Sequence, residues 1–315
     1  LAAVALIHGA TGHLNFAALT EASRRPELAG VLPGYLGLLA LALLLKSAAF
    51  PLYAWLPATY HSLPAPILAL FGGLLTKVGV YALLRLFGQV FADVAAAPVQ
   101  LLGWIALATM VSGVLGAAYH WDLRRILAFH IVSQIGYLLL GIALMTPAGA
   151  AATLYFTVHN ILAKAGLFLI AGIVWRLAGH HDLRRVGGLY AARPGLALLF
   201  LLAAFSLVGV PPTSGFWGKF LLVRESFGQG QFLWGGVALA VGVLTLYSMA
   251  KIWLEAFWKP HPDGREMAAP VSGLAPAYAA VMILGAVTLG MGLWPEPFIA
   301  FAQSATAGFG AGGRP

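Results

Sequence analysis

The chain has 315 residues, of which 61% are hydrophobic and only 9% are Asp, Glu, Lys or Arg. A soluble domain carries about 25% charged residues, so this composition excludes a water-soluble globular protein. The net charge is +8, but most arginines flank apolar runs rather than forming a basic face, so we expect no nucleic-acid partner. The sequence has no cysteine, which excludes disulfides, thiolate metal sites and iron–sulfur clusters. We therefore predict no cofactor.

The chain opens at Leu1 with a short apolar stretch, LAAVALIHGATGH. This stretch lacks the basic start of a signal peptide and is too short to be a span. We interpret it as the end of a helix that begins upstream, and the sequence as an N-terminally truncated fragment. A polar connection from Asn15 to Gly30 follows it.

Apolar runs long enough to cross about 30 Å of hydrocarbon recur along the rest of the chain. Each should be a helix, because a backbone exposed to lipid must satisfy its own hydrogen bonds. The eight predicted segments are roughly residues 34–60, 65–88, 98–119, 123–145, 148–178, 195–227, 231–258 and 273–295. The sequence therefore predicts an all-α polytopic membrane protein with about eight full transmembrane helices plus a partial one.

Lysine and arginine are unevenly divided between the two sets of connections. One set receives Arg124, Arg125, Arg176, Arg184, Arg185, Arg193, Lys251, Lys259 and Arg265. The other receives Arg24, Arg25, Arg85 and Arg224. By the positive-inside rule, we expect the first set to face the cytoplasm and the C-terminal tail to lie outside.

Two of the predicted spans are interrupted by proline near the middle. One contains KSAAFPLYAWLP around Pro51, and the other contains VGVPPTSGFWGKF around Pro211 and Pro212. Proline removes a helical hydrogen bond and clashes with the preceding turn. In transporters, interrupted spans in corresponding places of two repeats indicate an ion site. A proline kink without an ion-binding role is the alternative, but each break lies beside a lysine.

Four lysines, Lys46, Lys77, Lys164 and Lys219, lie inside apolar segments. A lysine at the centre of a transmembrane helix costs about 2.5–3.5 kcal/mol, so four of them indicate a function. The alternative is snorkelling, in which the ammonium group reaches the interface. Lys46 is near the C-terminal end of its half-helix, where the helix dipole favours a cation. Lys219 lies just after its break, near the N-terminal end of the second half-helix, where we expect the dipole to disfavour a cation.

Polar residues also form stripes on two neighbouring predicted helices. In LAFHIVSQIGYLLL, the residues at i, i+3, i+4 and i+7 share one face; they are His130, Ser133, Gln134 and Tyr137. On the next helix, Asn160 and Lys164 share a face, and His159 points away from it. The stripes could hold a file of water with a titrating histidine, or they could simply hydrogen-bond the helices together.

Two further polar groups have simpler interpretations. Lys251 and Glu255 are four residues apart near the edge of a span, which favours an interfacial ion pair. His180 and His181 are adjacent in an arginine-rich connection without carboxylates at metal-ligand spacing, so the sequence predicts no metal site.

Several long motifs carry a family likeness. KSAAFPLYAWLPATYHSLPAPILALFGGLLTKVGVYALLR, LRRILAFHIVSQIGYLLLG, VHNILAKAGLFLIAG and GVPPTSGFWGKFLL occur in this order. They resemble the antiporter-like subunits shared by Mrp-type multisubunit cation/proton antiporters and respiratory complex I. The ending LYSMAKIWLEAFW and the lysine at 219 are most similar to the D subunits of the Mrp type.

The resemblance implies the last part of a fourteen-helix fold with two inverted repeats, each containing a broken helix. Residues 1–90 would be the C-terminal part of the first repeat, 91–258 the second repeat, and 259–315 the final transmembrane helix and tail. The family's upstream glutamate, which pairs with the first-channel lysine, would precede Leu1.

The resemblance also implies residue roles. Lys46 would be the central lysine of the first half-channel, and Lys77 would connect it to the second. The hydrated proton path would continue through His130, His159, Lys164 and Lys219. Relatives often have two adjacent histidines where this chain has His159 and Asn160, which weakens the case for titration at Asn160.

The expected function is that of a transporter subunit and not of an enzyme. The chain would belong to a hetero-oligomeric antiporter in the cell (inner) membrane of a prokaryote, exchanging Na⁺ or a similar monovalent cation for protons. The alternatives are a proton-translocating subunit of complex I or a membrane-bound hydrogenase, and a non-conducting scaffold.

Overall fold

The computed structural model describes residues 1–92, 94, 96–262, 264 and 272–309. These residues are helical, apart from turns and a single β-bridge between Asp122 and Asp182. The α-helices are α1 (Ala2–Thr11), α2 (Phe16–Ala22), α3 (Leu32–Ser47), α4 (Trp55–Tyr60), α5 (Ala65–Leu70), α6 (Thr76–Arg85), α7 (Ala96–Tyr119), α8 (Leu123–Ala143), α9 (Pro147–Ala178), α10 (Leu189–Ala192), α11 (Pro194–Val208), α12 (Ser214–Gly228), α13 (Phe232–Ile252), α14 (Ala275–Leu293) and α15 (Glu296–Ala305). Short 3₁₀ turns lie at Pro26–Leu28, Leu52–Ala54 and Leu183–Arg185, and π-helical turns at Phe71–Leu75, Leu86–Val90 and Trp253–Trp258.

Seven helical segments of the described chain are long and apolar enough to cross a membrane. They are Leu32–Tyr60, Ala65–Val90, Val99–Tyr119, Leu123–Ala143, Pro147–Ala178, Phe232–Trp258 and Ala275–Leu293. Their bounds agree closely with seven of the predicted segments. The helices α1 and α2, bent by 63° relative to each other, would add an eighth candidate span.

The predicted segment 195–227 is divided, as its central prolines predict, into α11 and α12, which are separated by the connection from Gly209 to Thr213. One region differs from the expectation. The stretch expected to be a polar connection contains α2, because Asn15 provides its N-cap: the side-chain oxygen of Asn15 accepts a hydrogen bond from the Ala17 amide at 2.8 Å.

Helix α8 lies in the middle of the bundle, and 18 of its 21 residues are buried. Glycines let α7 approach it closely. A Cβ atom on Gly136 would lie 2.6 Å from the Met110 amide nitrogen, and one on Gly113 would lie 2.7 Å from the Ser133 Cα. Small residues at such contacts are typical of membrane helix packing. As a result, the polar side chains of α8 are in the protein interior.

Several connections meet at one end of the bundle, which we call the basic end. These are the connections that follow α4, α7, α9 and α13. The amides of Leu123 and Leu183 donate to the carbonyls of His181 and Trp121, both at 2.9 Å, and the Gly188 amide donates to Lys259 at 2.6 Å. Eight of the nine basic residues that the sequence analysis assigned to the cytoplasmic side therefore lie at or near this end. They are Arg124, Arg125, Arg176, Arg184, Arg185, Arg193, Lys251 and Lys259. The ninth, Arg265, is outside the described residues.

Candidate functional site

The break between α11 and α12 is organised around Lys219. Helix α11 ends at Val208, Gly209 turns the chain with φ +93°, and the Pro211–Pro212 peptide is cis. The Lys219 ammonium group donates to the carbonyls of Leu207 at 3.0 Å and Val208 at 2.9 Å. These carbonyls have no partner within α11, because they belong to its last turn.

The expectation that the dipole opposes a cation at Lys219 was therefore wrong. The side chain starts on α12 but carries its ammonium back across the break to the C-terminal end of α11, where the dipole favours positive charge. The ammonium also lies 4.8 Å from the ring centre of Tyr137, whose hydroxyl donates to the Ala238 carbonyl at 2.5 Å. Lys219 is only 9% exposed.

His159 on α9 contacts both halves of the same broken helix. Its Nδ1 atom shares a hydrogen bond of 2.9 Å with the Ser214 hydroxyl at the start of α12, and the Ser206 hydroxyl of α11 lies 3.4 Å away. The imidazole stacks on the Phe156 ring. Its Nε2 atom is buried and has no hydrogen-bond partner among the described residues.

The break between α3 and α4 is organised differently. Ala48 adopts a left-handed conformation with φ +59°, and the Phe50–Pro51 peptide is cis. The Phe50 amide donates to the Thr109 hydroxyl on α7 at 2.9 Å, and the Trp55 indole donates to the Leu45 carbonyl at 3.0 Å. Both predicted breaks are therefore present.

Lys46 is exposed, which contradicts the expectation of burial for this lysine. It lies on the outward face of α3 beside exposed leucines at 38, 41 and 45. Helix α3 is apolar all round, so its sequence does not indicate which face is buried.

Lys77 and Lys164 are buried, and neither reaches an interface. Lys77 is 3% exposed and donates to the Gly72 carbonyl at 2.6 Å. That carbonyl belongs to the π-helical turn Phe71–Leu75, a helix irregularity that often marks functional sites. Lys164 is fully buried, and its closest acceptor is the Leu127 carbonyl of α8 at 3.5 Å.

The stripe on α8 supports both interpretations offered from the sequence. His130 shares a hydrogen bond of 2.9 Å with the Ser248 hydroxyl, and Tyr137 donates to Ala238, so these two residues join α8 to α13. The other two do not join helices: Ser133 and Gln134 are buried, and their side-chain polar atoms have no partner within the described chain. The Asn160 oxygen is also unpartnered, although its nitrogen donates to the Phe156 carbonyl at 2.9 Å.

These ionisable groups lie within electrostatic range of one another. Lys164 interacts with the charges of Lys77 and Lys219, and His159 interacts with all three lysines. His130 interacts with Lys164, Lys219 and Lys251. No hydrogen bond in the described part of the chain joins two of these side chains directly. The structure thus brings Lys77, Lys164, Lys219, His130 and His159 into one buried cluster and leaves Lys46 outside it.

Sequence reasoning did not identify the small hydroxyl residues that hold this cluster. Ser206, Ser214 and Ser248 are fully buried partners of the two histidines. A serine in a transmembrane helix is too common to stand out alone. Ser206 and Ser214 flank the Pro211 break, and this position was the available signal.

The expected ion pair between Lys251 and Glu255 is absent. Lys251 instead donates to the carbonyls of Ala118 at 2.7 Å and His120 at 2.6 Å, at the end of α7. Glu255 pairs with Lys259. The π-helical turn Trp253–Trp258 starts between Lys251 and Glu255, so these two residues are not separated by one regular α-helical turn.

The architecture and this cluster together define a polytopic helical membrane protein with a buried cluster of lysine and histidine side chains. Residues 1–249 match the family model described as "NADH:quinone oxidoreductase/Mrp antiporter, TM". The chain belongs to this family.

Individual relatives agree with this assignment. The chain is 42% identical over 287 residues to the D subunit of the Na⁺/H⁺ antiporter of Alkalihalophilus pseudofirmus, covering 90% of this chain and 58% of the relative. It resembles a chain of the Mrp complex from a Dietzia species with a TM-score of 0.86 and 33% identity, covering 97% of this chain and 64% of the other. It also resembles a chain of respiratory complex I from Thermus thermophilus with a TM-score of 0.83 and 28% identity, covering 97% and 65%.

The chain therefore spans about three fifths of the length of the relatives it matches. The similarity covers nearly all of this sequence, including both breaks and the buried cluster. The prediction of an antiporter-like membrane subunit related to those of complex I is confirmed at the level of the family.

Proposed function

We propose that this chain is part of a D-type subunit of a multisubunit Na⁺/H⁺ antiporter and that it conducts protons along its buried cluster. The antiporter D subunits among its relatives support the type of assembly. The burial of three lysines and two histidines in one electrostatic cluster supports the proton path.

One observation carries the proposal: the hydrogen-bond partners of the buried ammonium groups are main-chain carbonyls. In the described part of the chain, Lys77, Lys164 and Lys219 form no ion pair with a carboxylate. A carboxylate would hold a lysine in its charged form, whereas a carbonyl accepts a hydrogen bond from an ammonium ion or from a neutral amine. These lysines can therefore release and regain protons without losing their hydrogen bonds.

Protons would pass from Lys77 to Lys164 and then, by way of His159, to Lys219. Because these groups sense each other's charge, protonation of one lowers the proton affinity of the next. Buried polar atoms without hydrogen-bond partners among the described residues occur on α8 and α9, on Ser133, Gln134, Asn160 and His159. Such atoms are typical positions for water in a protein interior, and transient water would link the lysines.

We also propose that the two breaks belong to inverted repeats, with residues 1–90 in the first, 91–258 in the second and 259–315 as the final helix and tail. The first broken helix runs toward the basic end and the second runs away from it, which favours an inverted relation. Lys46 would start the path in the first repeat. This role requires that its exposed face of α3 be covered in the complete assembly.

The proposed location is the inner membrane of a prokaryote, with the basic end in the cytoplasm and other antiporter subunits as partners. The excess of arginine and lysine at the basic end supports this orientation. The coupled ions would be protons and a monovalent cation, and the bilayer would surround the exposed apolar faces.

The test is Na⁺-dependent proton flux in everted vesicles that contain the complete assembly. Lys219→Ala should abolish exchange and leave the assembly intact. Lys219→Arg is more specific, because arginine keeps the charge and can donate to Leu207 and Val208 but does not release its proton. Its exchange should also be lost.

Lys259→Ala is the matched control, because Lys259 lies at the basic end and pairs with Glu255 outside the cluster. It should retain exchange. Normal exchange in the Lys219→Arg variant would show that Lys219 acts only by holding the break together, and would contradict the proposal.

A second candidate is a proton-translocating subunit of complex I or of a membrane-bound hydrogenase. The similarity to respiratory complex I at a TM-score of 0.83 favours it. Neighbouring genes distinguish the two: small hydrophobic antiporter subunits support the first candidate, and flavin or iron–sulfur subunits support the second. Proton flux that requires electron transfer and does not depend on the Na⁺ concentration would also favour the second candidate.

A further inference from the structure

A six-residue motif occurs twice at the basic end. His120 to Arg125 reads HWDLRR, and His180 to Arg185 reads HHDLRR. The two copies lie antiparallel: Asp122 and Asp182 form a β-bridge, and the amide of each leucine donates to the residue before the aspartate of the other copy. The paired copies therefore form a fixed platform.

Each aspartate caps its own copy. The side-chain oxygen of Asp122 accepts from the Arg125 amide, and that of Asp182 accepts from the Arg184 amide, both at 3.0 Å. The Arg184 guanidinium also donates to Asp182, and this hydrogen bond lowers the pKa of that carboxyl. The Arg124 guanidinium forms no hydrogen bond or ion pair with a carboxylate among the described residues, although the charge of Asp122 acts on it.

Arg124 faces a cavity of about 660 Å³ between the start of α5 and parts of α8, α9 and α14. The interior of the cavity is apolar and includes Leu68, Phe168 and Ile173. Its rim is cationic and polar: Arg124 and His181 come from opposite copies of the motif, and Arg176 comes from the last turn of α9. The cavity therefore has an apolar interior and a cationic mouth.

The polar groups at the mouth of the cavity include nitrogen atoms that make no hydrogen bond within the described chain. The Nε atom of Arg124 and the Nδ1 atom of His181 are buried and have no hydrogen-bond partner among the described residues. Arg176 uses one nitrogen to donate to the Ser272 carbonyl at 3.1 Å. Burial, followed by the positive charge of Arg124, lowers the pKa of His181 to about 4. The imidazole is then neutral at physiological pH and can donate one hydrogen bond.

We propose that this cavity binds one anionic phospholipid. The phosphate would lie between Arg124 and Arg176 with His181 beside it, and an acyl chain would fill the groove along Phe168 and Ile173. Basic pockets between transmembrane helices recognise anionic lipid head groups in this way. A small inorganic anion would leave the apolar interior unfilled, and an apolar peptide segment would leave two guanidinium groups without a counterion.

The position along the membrane axis also fits a lipid. The cavity opens at the end of the bundle where helices α8 and α14 begin and α9 ends. Trp175 lines the cavity, is 48% exposed and stacks on His181. Tryptophan is enriched at the level of lipid head groups, so the mouth lies where a phosphate would be.

Trp175 makes the site testable in the complete assembly. The assembly is reconstituted in phosphatidylcholine bilayers that contain increasing amounts of phosphatidylglycerol with brominated acyl chains. Quenching of Trp175 is obtained by subtracting the fluorescence of a Trp175→Phe assembly. We expect saturable quenching by brominated phosphatidylglycerol and a much weaker response to brominated phosphatidylcholine.

Arg124→Gln should weaken the apparent affinity about fivefold, the effect of about 1 kcal/mol for one arginine at a membrane surface. Arg185→Gln is the matched control, because it removes the same charge from the second copy of the motif without lining the cavity, and it should change nothing. Arg176→Gln should weaken lipid binding by a similar factor. This variant replaces Arg124→Gln in the experiment if the Arg124→Gln assembly does not form.

Three results would overturn the proposal. Equal quenching by the two lipids would indicate bulk bilayer only. Equal effects of Arg124→Gln and Arg185→Gln would indicate general surface charge. Complete displacement by inorganic phosphate would indicate a site for a small anion. None of these outcomes depends on exchange activity, so the site is tested separately from the proton path.

Discussion

The two broken helices share a construction but use their lysines in opposite ways. Each break contains a cis proline peptide and a residue with positive φ, Ala48 in the first and Gly209 in the second. At the second break, the Lys219 ammonium donates to the last carbonyls of α11. At the first, the Trp55 indole donates to a carbonyl of α3, while Lys46 is exposed.

This difference shows that a lysine beside a proline break does not necessarily serve the break. Both helix ends present carbonyls without partners inside the helix. Whether a lysine reaches them depends on which face carries it and on the direction of its side chain. The second break is thus a cationic junction, while the first is held by neutral donors and acceptors, including the hydroxyl of Thr109 on α7.

The largest expected effect compares the two lysines directly. Lys219→Met should lower the free energy of unfolding by about 2 kcal/mol, because it leaves the Leu207 and Val208 carbonyls without their donor in a buried site. Lys46→Met should change it by less than about 0.5 kcal/mol, as for other exposed positions. Denaturant unfolding of the purified protein in detergent measures both values.

Equal losses in these two variants would contradict the comparison, because they would mean that Lys46 has buried partners as Lys219 does. A loss for Lys46→Met that appears only in the complete assembly would instead show that another subunit or segment covers the outer face of α3.

Much of the fold could be predicted from the sequence. Apolar run length predicted seven of the eight spans to within a few residues, and proline predicted both breaks. The burial of Lys77, Lys164 and Lys219 followed from their positions inside apolar runs. Lys46 could not be assigned in this way, because a helix that is apolar on every side carries no information about which face is covered.

Closer attention to helix geometry could have predicted the direction of Lys219. Side chains on a helix lean toward its N-terminus, so a long side chain five residues into α12 points back to the break and to the end of α11. The register change at Trp253–Trp258 was not predictable, because nothing in WLEAFW distinguishes a π-helical turn from a regular one. It is this turn that separates Lys251 from Glu255.

The next effect concerns the neutral donors and acceptors of the first break. Thr109→Val should lower the free energy of unfolding by about 1–2 kcal/mol, because the Phe50 amide loses its acceptor while the shape of the side chain is kept. The control is Thr157→Val, since the Thr157 hydroxyl donates only to the Thr153 carbonyl of its own helix. Thermal unfolding of both variants provides the measurement.

A Thr109→Val protein as stable as the Thr157→Val protein would show that water replaces the hydroxyl at the first break. The first break would then be held mainly by Trp55, and the contrast with the buried second break would become sharper.

The smallest expected effect concerns the turn at the second break. Gly209→Ala should lower the free energy of unfolding by about 1 kcal/mol, because an alanine is disfavoured at positive φ. Its Cβ would also lie 3.0 Å from the Lys219 Cδ atom and displace that side chain. Gly195→Ala is the control: no atom lies within 4 Å of the added methyl group, and its stability should be unchanged or slightly higher.

A double-mutant cycle separates the two causes. In a Lys219→Ala background the Cδ atom that the new methyl group would contact is absent. Gly209→Ala should then lower the free energy of unfolding by less than it does in the parent protein, because only the cost of alanine at positive φ remains. Contacting residues show such non-additivity, whereas independent residues do not. Additive effects of the two changes would mean that the glycine only shapes the turn and has no part in directing Lys219 toward the end of α11.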